Sequence, residues 1–473
     1  MQTRKTTEMK ETELKEGTVI ELQADSVGNL PDGVDSDEIS CHSEEEKIES
    51  EMHRSQSTGK ETKSSIQETD NLEQREIIII KGLVLIFGIS SLLPWNVVIN
   101  AAGYFMKKLK DNSLETTFAT YLQVSAVSGN LIGSFAMLFL NRFSNPRSLA
   151  FVSNICFILP LVVMTALAKV DSDSWKTEFF IINIATYSVS AFSYGVLTSS
   201  VSMLCSMIRP DVLKAFYIGK GLAGIVGSFL TIGTLAFPQI DVVAAAFYYF
   251  LITSVLILFG TTPLFLYFLN MKLVKTRTIL IRKQNSESEA NNEATLTMLN
   301  LLKKIKVPCL SAVILTVVSL LVFPATLTTL KSVNETGTPW TDKFFLPVAV
   351  FLVWGVADLA GKVLSEFVSW PRKEHILWFA LARIILIPLI LMTNIQPRSL
   401  PVWFKSDAVP SVLAFLTSFT GGHLFNLCVT YAPQYVEGKK NRGKASMVTF
   451  FFTALGLALG SACIFVVPPI LNA

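Results

Sequence analysis

Thiol and imidazole chemistry is scarce in this chain. Four histidines are scattered without metal-ligand spacing, and six cysteines include no Cys-x-x-Cys and no paired extracellular set. Cys41 lies in a polar tail. Cys156, Cys205, Cys309, Cys428 and Cys463 fall within or beside apolar runs, where cysteine acts as a small hydrophobe. Neither a disulfide framework nor a zinc site is implied. There is no Walker loop, no dinucleotide fingerprint and no His-Glu-x-x-His. ATP-driven work is therefore unsupported, no enzyme signature is present, and no cofactor, metal or nucleic-acid partner is expected. Charge is also short: 16% of 473 residues, against 51% hydrophobic. That balance is too apolar for a soluble protein. Residues 1–76 lack an apolar core, so no cleavable signal peptide is expected there.

The charge present is unevenly placed. Residues 1–76 hold nine Lys and Arg against twenty Asp and Glu, a formal −11, so the whole-chain value of +3 leaves +14 for the rest. Low hydrophobicity and high net charge predict a disordered acidic cytoplasmic tail over 1–76. From Ile77 onward, apolar runs long enough to span a bilayer recur. They predict about eleven helices, over 77–105, 117–140, 148–168, 179–208, 215–237, 243–270, 308–330, 344–369, 375–395, 409–432 and 445–467. The expected class is an all-α integral membrane protein. Its N-terminal six-helix bundle covers 77–270, a cytoplasmic basic and polar linker 271–307, and a C-terminal five-helix bundle 308–473.

Basic residues fall in alternate loops. Arg142 and Arg147 flank one turn, and Arg209 and Lys214 another. Lys272, Lys303 and Lys304 stand in the linker, Arg372 and Lys373 follow helix eight, and Lys439, Lys440 and Arg442 precede the last helix. The positive-inside rule then places the N-terminus in the cytoplasm and the C-terminus outside, which requires an odd number of spans. The sequon Asn334-Glu335-Thr336 falls in a loop on the outer side, where glycosylation is possible.

Polar residues inside a span are costly, and so they are informative. Asp358 and Lys362 stand one turn apart on one face of helix eight. They fit either a ligand-facing charge pair or a structural ion pair. In Ser91-Leu92-Leu93-Pro94-Trp95-Asn96-Val97 a proline, an indole and a carboxamide sit deep in the first apolar run. The proline removes a backbone hydrogen bond, and the ring and amide beside it suit a flat polar ligand. In helix four, dense in small and hydroxylated residues that mostly serve close packing, Ser199, one turn after Gly195, is the single candidate for pore contact. Gly219, Gly221 and Gly224 permit tight packing of helix five, with Lys220 as an interface anchor. Arg383 either faces the bundle or snorkels. His423 and Asn426 either line a path or satisfy structure. Pro160, Pro324 and Pro388 interrupt helices and supply kinks or hinges.

Seven strings carry a resemblance over nearly the whole membrane domain. They are Leu92-Leu93-Pro94-Trp95-Asn96, Gly221-Leu222-Ala223-Gly224, Phe323-Pro324-Ala325, Asp358-Leu359-Ala360-Gly361-Lys362, Ala382-Arg383, Pro388-Leu389 and Gly456-Leu457-Ala458-Leu459-Gly460. In this order they resemble the equilibrative nucleoside transporters. The resemblance implies a major-facilitator-like fold and sodium-independent movement of nucleosides, some nucleobases and analogues, by alternating access down a gradient. It implies a substrate site at Trp95, Asn96, Gly195, Ser199, Phe351, Asp358 and Lys362. There Asp358 and its basic partner hold the ribose hydroxyls and Trp95 flanks the base. Two positions depart from the family pattern: Lys362 stands where Arg is usual, losing the planar fork, and Ser199 where Gln is common. The plasma membrane is the expected residence, with an endosomal or lysosomal membrane as the alternative. Proton coupling through Asp358 and a non-transporting receptor remain open as functions.

Overall fold

The computed structural model describes residues 74–99, 101–112, 114, 118–236, 241–276, 296–334, 337–463 and 467–471. All but the last three residues of the acidic tail, and the middle of the linker, lie outside them. Among the described residues the chain is helical apart from one isolated antiparallel bridge, Leu330 to Ile395. Ten of the described helices are long and apolar enough to cross a membrane. They are α1 (Gln74–Ile99), α2 (Phe118–Phe143), α3 (Pro146–Ala168), α4 (Lys176–Ile208), α5 (Pro210–Ala236), α6 (Val243–Asn270), α7 (Met298–Pro324), α8 (Phe344–Phe367), α10 (Ala408–Tyr435) and α11 (Lys439–Cys463). The predicted ninth span is a shorter apolar helix, α9 (Ile376–Leu391). It ends early because the following residues turn to pair with the segment after α7. Thr393 caps the Ile390 carbonyl, and the Lys331 amide donates to the Asn394 carbonyl.

The first helix also ends sooner than its apolar run. It stops at Ile99, the chain turns at Ala101, and a separate short helix covers Ala102–Lys108. Twenty-six residues at about 1.5 Å each already exceed a bilayer's hydrocarbon core of about 30 Å. The apolar residues left over pack inward: Tyr104 and Phe105 are buried, meeting the rings of Phe179, Phe250 and Phe118. Pro94 stands inside α1, which stays helical past it to Ile99. At Pro324 the expected interruption is present, since Phe323 leaves helical geometry at φ −129° and ψ 136°.

Adjacent helices meet through small residues, as lipid-embedded packing favours. α2 runs along α4, α7 along α11, and α8 along α10, and α5 packs on α8. Gly456 and Gly460 set α11 against α7 at Val313, Thr316 and Val317. The helix ends that border the basic loops are joined by contacts across the bundle. Tyr217 of α5 meets Phe425 of α10 with ring centroids 5.3 Å apart, and Lys214 donates to the Ser365 carbonyl at 2.7 Å. Ser206 of α4 and Ser446 of α11 share a hydrogen bond, and Met203 and Met207 lie against Gly443.

Candidate functional site

The i, i+4 spacing on α8 does what the sequence dictates: Lys362 Nζ donates to Asp358 Oδ2 at 2.5 Å. The lysine is buried and the carboxylate is one-quarter exposed. Two glycines make room for the acid. A Cβ on Gly221 of α5 would lie 3.3 Å from Asp358 Oδ2 and from Lys362 Cδ. A Cβ on Gly422 of α10 would lie 2.9 Å from Oδ1 and 2.4 Å from the Asp358 carbonyl oxygen. Asp358 is also the carboxylate farthest from any helix end. The other acids in the spans, Glu76, Glu178, Asp211 and Glu366, stand in first or last turns.

Cations outnumber that acid. Arg383 is buried and faces the bundle, donating to the carbonyls of Leu315 and Thr417 and the hydroxyls of Ser319 and Thr420. It thereby clamps α7, α9 and α10. Lys220 is not the interface anchor that its position at a helix start suggested. It is 6% exposed, and its ammonium donates to Tyr194 Oη at 2.9 Å and reaches Thr198 Oγ1 at 3.5 Å. The rings of Phe216, Tyr194, Tyr217 and Phe450 surround it at 4.6 to 5.4 Å from their centroids. No carboxylate touches it among the described residues. Ring faces carry negative quadrupole charge, so four of them partly replace the missing acid. Helix five thus presents two faces in consecutive residues, Lys220 toward α4 and Gly221 toward α8.

Beside Tyr194 opens a cavity of about 190 Å³. Its walls come from Ser91, Leu92, Pro94 and Trp95 of α1, Gln123, Ala126, Val127 and Asn130 of α2, and Tyr187, Ser190, Ala191 and Tyr194 of α4. Phe157 of α3, Leu320 of α7 and Leu457 of α11 complete it. The Trp95 and Tyr187 rings lie 6.2 Å apart, tilted 31°. The walls are mostly aromatic and aliphatic with a few amides and hydroxyls, the usual make-up of a small-molecule site.

The seven residues expected at a substrate site are not all gathered there. Trp95 lines the cavity, and Asp358 and Lys362 form their own cluster with Gly221. Asn96 donates to the Leu92 carbonyl at 3.1 Å and packs on Gly227. Gly195 faces α2, where a Cβ would come within 2.4 Å of the Asn130 carbonyl oxygen. Ser199 is fully buried, its hydroxyl returned to the Gly195 carbonyl at 2.7 Å. Phe351 meets Phe323 edge-on at 5.3 Å. His423 and Asn426 serve structure in this conformation: His423 Nε2 bonds the Trp370 carbonyl, and the Asn426 amide bonds the Lys362 carbonyl and Ser365. Sequence reasoning missed Gln123, Asn130, Tyr187, Tyr194 and the cage of Lys220. Spacing held a signal for two of these pairs. Gln123 and Asn130, and likewise Tyr187 and Tyr194, stand seven residues apart, on one face of a helix.

The nucleoside transporter family model matches residues 184–468. Equilibrative nucleoside transporter 3 of Rattus norvegicus is 31% identical over 81% of this chain and 88% of its own. Equilibrative nucleoside transporter 1 of Homo sapiens is 28% identical over 80% and 95%. Among solved structures, a major facilitator superfamily transporter in the outward conformation superposes with a TM-score of 0.53 at 9% identity, over 84% of this chain and 99% of that one. That likeness concerns the fold alone, and it gives the bundle a major-facilitator-like architecture. With a profile matching more than half its length and a relative above 30% identity, this multi-pass membrane protein belongs to the equilibrative nucleoside transporter family.

Proposed function

We propose that the protein carries purine and pyrimidine nucleosides across a membrane by alternating access, as facilitated diffusion without sodium. The observation that carries this reading is the Asp358–Lys362 pair, packed closely against Gly221 and Gly422, in a bundle that also holds an aromatic cavity. A carboxylate beside an ammonium can accept from and donate to vicinal ribose hydroxyls. A cavity of about 190 Å³ is smaller than the roughly 300 Å³ that encloses a drug-sized ligand. It takes a base against Trp95 and leaves the sugar to extend out of it. Asn96, Gly195, Ser199 and Phe351 reach the substrate in this scheme only after α1, α4 and α8 move.

The scheme has α1–α6 and α7–α11 as two halves, joined by the linker 271–307, that rock about the site. The tail is cytoplasmic and the C-terminus is outside. Exposed Asn334, whose amide donates to Asp407 at 2.7 Å, is then available for glycosylation. The plasma membrane is the proposed residence. The test is uptake of labelled uridine, adenosine and adenine into liposomes, at two pH values and with or without sodium. Riboside uptake that ignores sodium and a pH gradient supports the reading. Uptake driven by a pH gradient replaces it with proton coupling, and no uptake at all leaves a non-transporting membrane protein.

A further inference from the structure

The cavity beside Trp95 contains a polar group that no described residue satisfies. Asn130 of α2 is 5% exposed and lines the cavity, and its Oδ1 is buried without a hydrogen-bond partner. Among the described residues no hydrogen bond engages its amide nitrogen either, whereas Asn154 and Asn183 each donate to a neighbour, and Asn426, whose Oδ1 is also unpaired, donates through its amide. An unpaired buried carboxamide costs stability, and such groups are rare in native proteins. Gln123, two helical turns earlier on the same face, lines the same cavity.

We infer that the Asn130 carboxamide reads the hydrogen-bonding edge of the nucleobase, with the base lying against Trp95. This rests on the nucleoside reading above and adds the part of the substrate recognised. A carboxamide offers one acceptor beside one donor, which matches the adjacent donor and acceptor on a base edge, as in asparagine's paired contact with adenine. Asn130 differs from the other orphaned groups, such as Asn426, in lining the cavity with both ends of its carboxamide unpaired among the described residues, so its partner arrives with the ligand. The Lys362 and Asp358 end binds the sugar, so the two ends divide recognition between base and ribose.

The experiment uses the purified full chain in liposomes. Half-saturation is measured for adenosine, and competition for indole riboside, which has the fused-ring shape but no hydrogen-bonding base edge. Asn130→Leu should raise the adenosine value about tenfold and leave indole riboside unchanged. Its melting temperature should not fall, because the lost amide bonds nothing. Asn130→Gln, with cavity space for one more methylene, should restore part of the preference for adenosine over indole riboside. Unchanged adenosine affinity overturns the assignment. So does an equal loss for both ribosides accompanied by a lowered melting temperature, which marks a structural amide. If the parent protein takes up no nucleoside, the functional reading itself fails, and this failure is distinct because it appears before any substitution.

Discussion

The Asp358–Lys362 pair lends itself to a double-mutant cycle. The perturbations are Asp358→Asn, Lys362→Met and the two together. Unit charges about 4 Å apart attract by about 4 kcal/mol at an effective dielectric of 20. The pair is tighter than that at 2.5 Å between heavy atoms, but Asp358 is one-quarter exposed, and water there screens the attraction. A coupling of about 2 kcal/mol is the expected remainder. Each single change leaves a charge without its partner, and for a fully buried pair that costs about 3–5 kcal/mol. Partial exposure brings the expected loss to about 2–3 kcal/mol for Lys362→Met, which strands the acid. Asp358→Asn should fall at the upper end, since Lys220, Lys362 and Arg383 then remain with no acid among them. The double variant removes both charges and should recover most of the stability, because apolar or neutral replacements of a buried pair are often tolerated. The assay is thermal unfolding of the purified proteins in one detergent, with riboside uptake measured in parallel. All three variants should lose uptake by tenfold or more, since a charged hydrogen bond is worth about 1.5–3 kcal/mol. If the double variant is no more stable than the less stable single one, the two charges do not support each other. If Lys362→Met is as stable and active as the parent, the pair has no part in binding.

Gly422→Ala should be worse than Gly221→Ala: the first brings a methyl within 2.4 Å of a backbone oxygen, the second only to 3.3 Å from side-chain atoms. A loss of about 1–3 kcal/mol is expected for Gly422→Ala, and equal melting temperatures would refute the geometry. Lys220→Met removes a buried charge that no acid balances, so stability should hold or rise, as measured by thermal unfolding; a fall of several degrees would show that the aromatic cage more than offsets the burial. Asn334→Gln should abolish any glycan shift on a gel, and a C-terminal tag should be reached by antibody from outside intact cells. A tag reached from the cytoplasm once the plasma membrane alone is permeabilised would reject the orientation.

Much of the fold was legible because a bilayer imposes length. Apolar runs of spanning size mark ten of the helices within a few residues, although α7 starts at Met298, ten residues before its apolar run, carrying Lys303, Lys304 and Lys306 on its first turns. Length also misled: the surplus after Ile99 folds back as a separate helix, and the chain after Leu391 leaves α9 to pair with Leu330. The Asp358–Lys362 contact was legible because it is local, one helical turn. Lys220 was not, because its cage is assembled from residues 194, 216, 217 and 450, and no local pattern announces that Phe450 will arrive from α11. Asn130 was overlooked for a related reason. One asparagine in an apolar helix is informative only when its neighbours are known to leave it unpaired.

The end where α4 and α11 meet has a further property. Met137, Met203, Met207 and Met447 are all buried there in one cluster. Thioether chains are unbranched and polarizable, so they adapt to new neighbours at little cost. A seam built from them can part and re-form without demanding one exact fit, unlike a seam of branched side chains locked in single rotamers. The same chemistry makes it perishable. Oxidation to the sulfoxide turns each apolar sulfur into a polar, chiral group, and while the seam is shut these sulfurs are out of reach. Under the proposed alternating access this seam parts and exposes them, so the protein's lifetime under peroxide should shorten with the time that it spends open at this end.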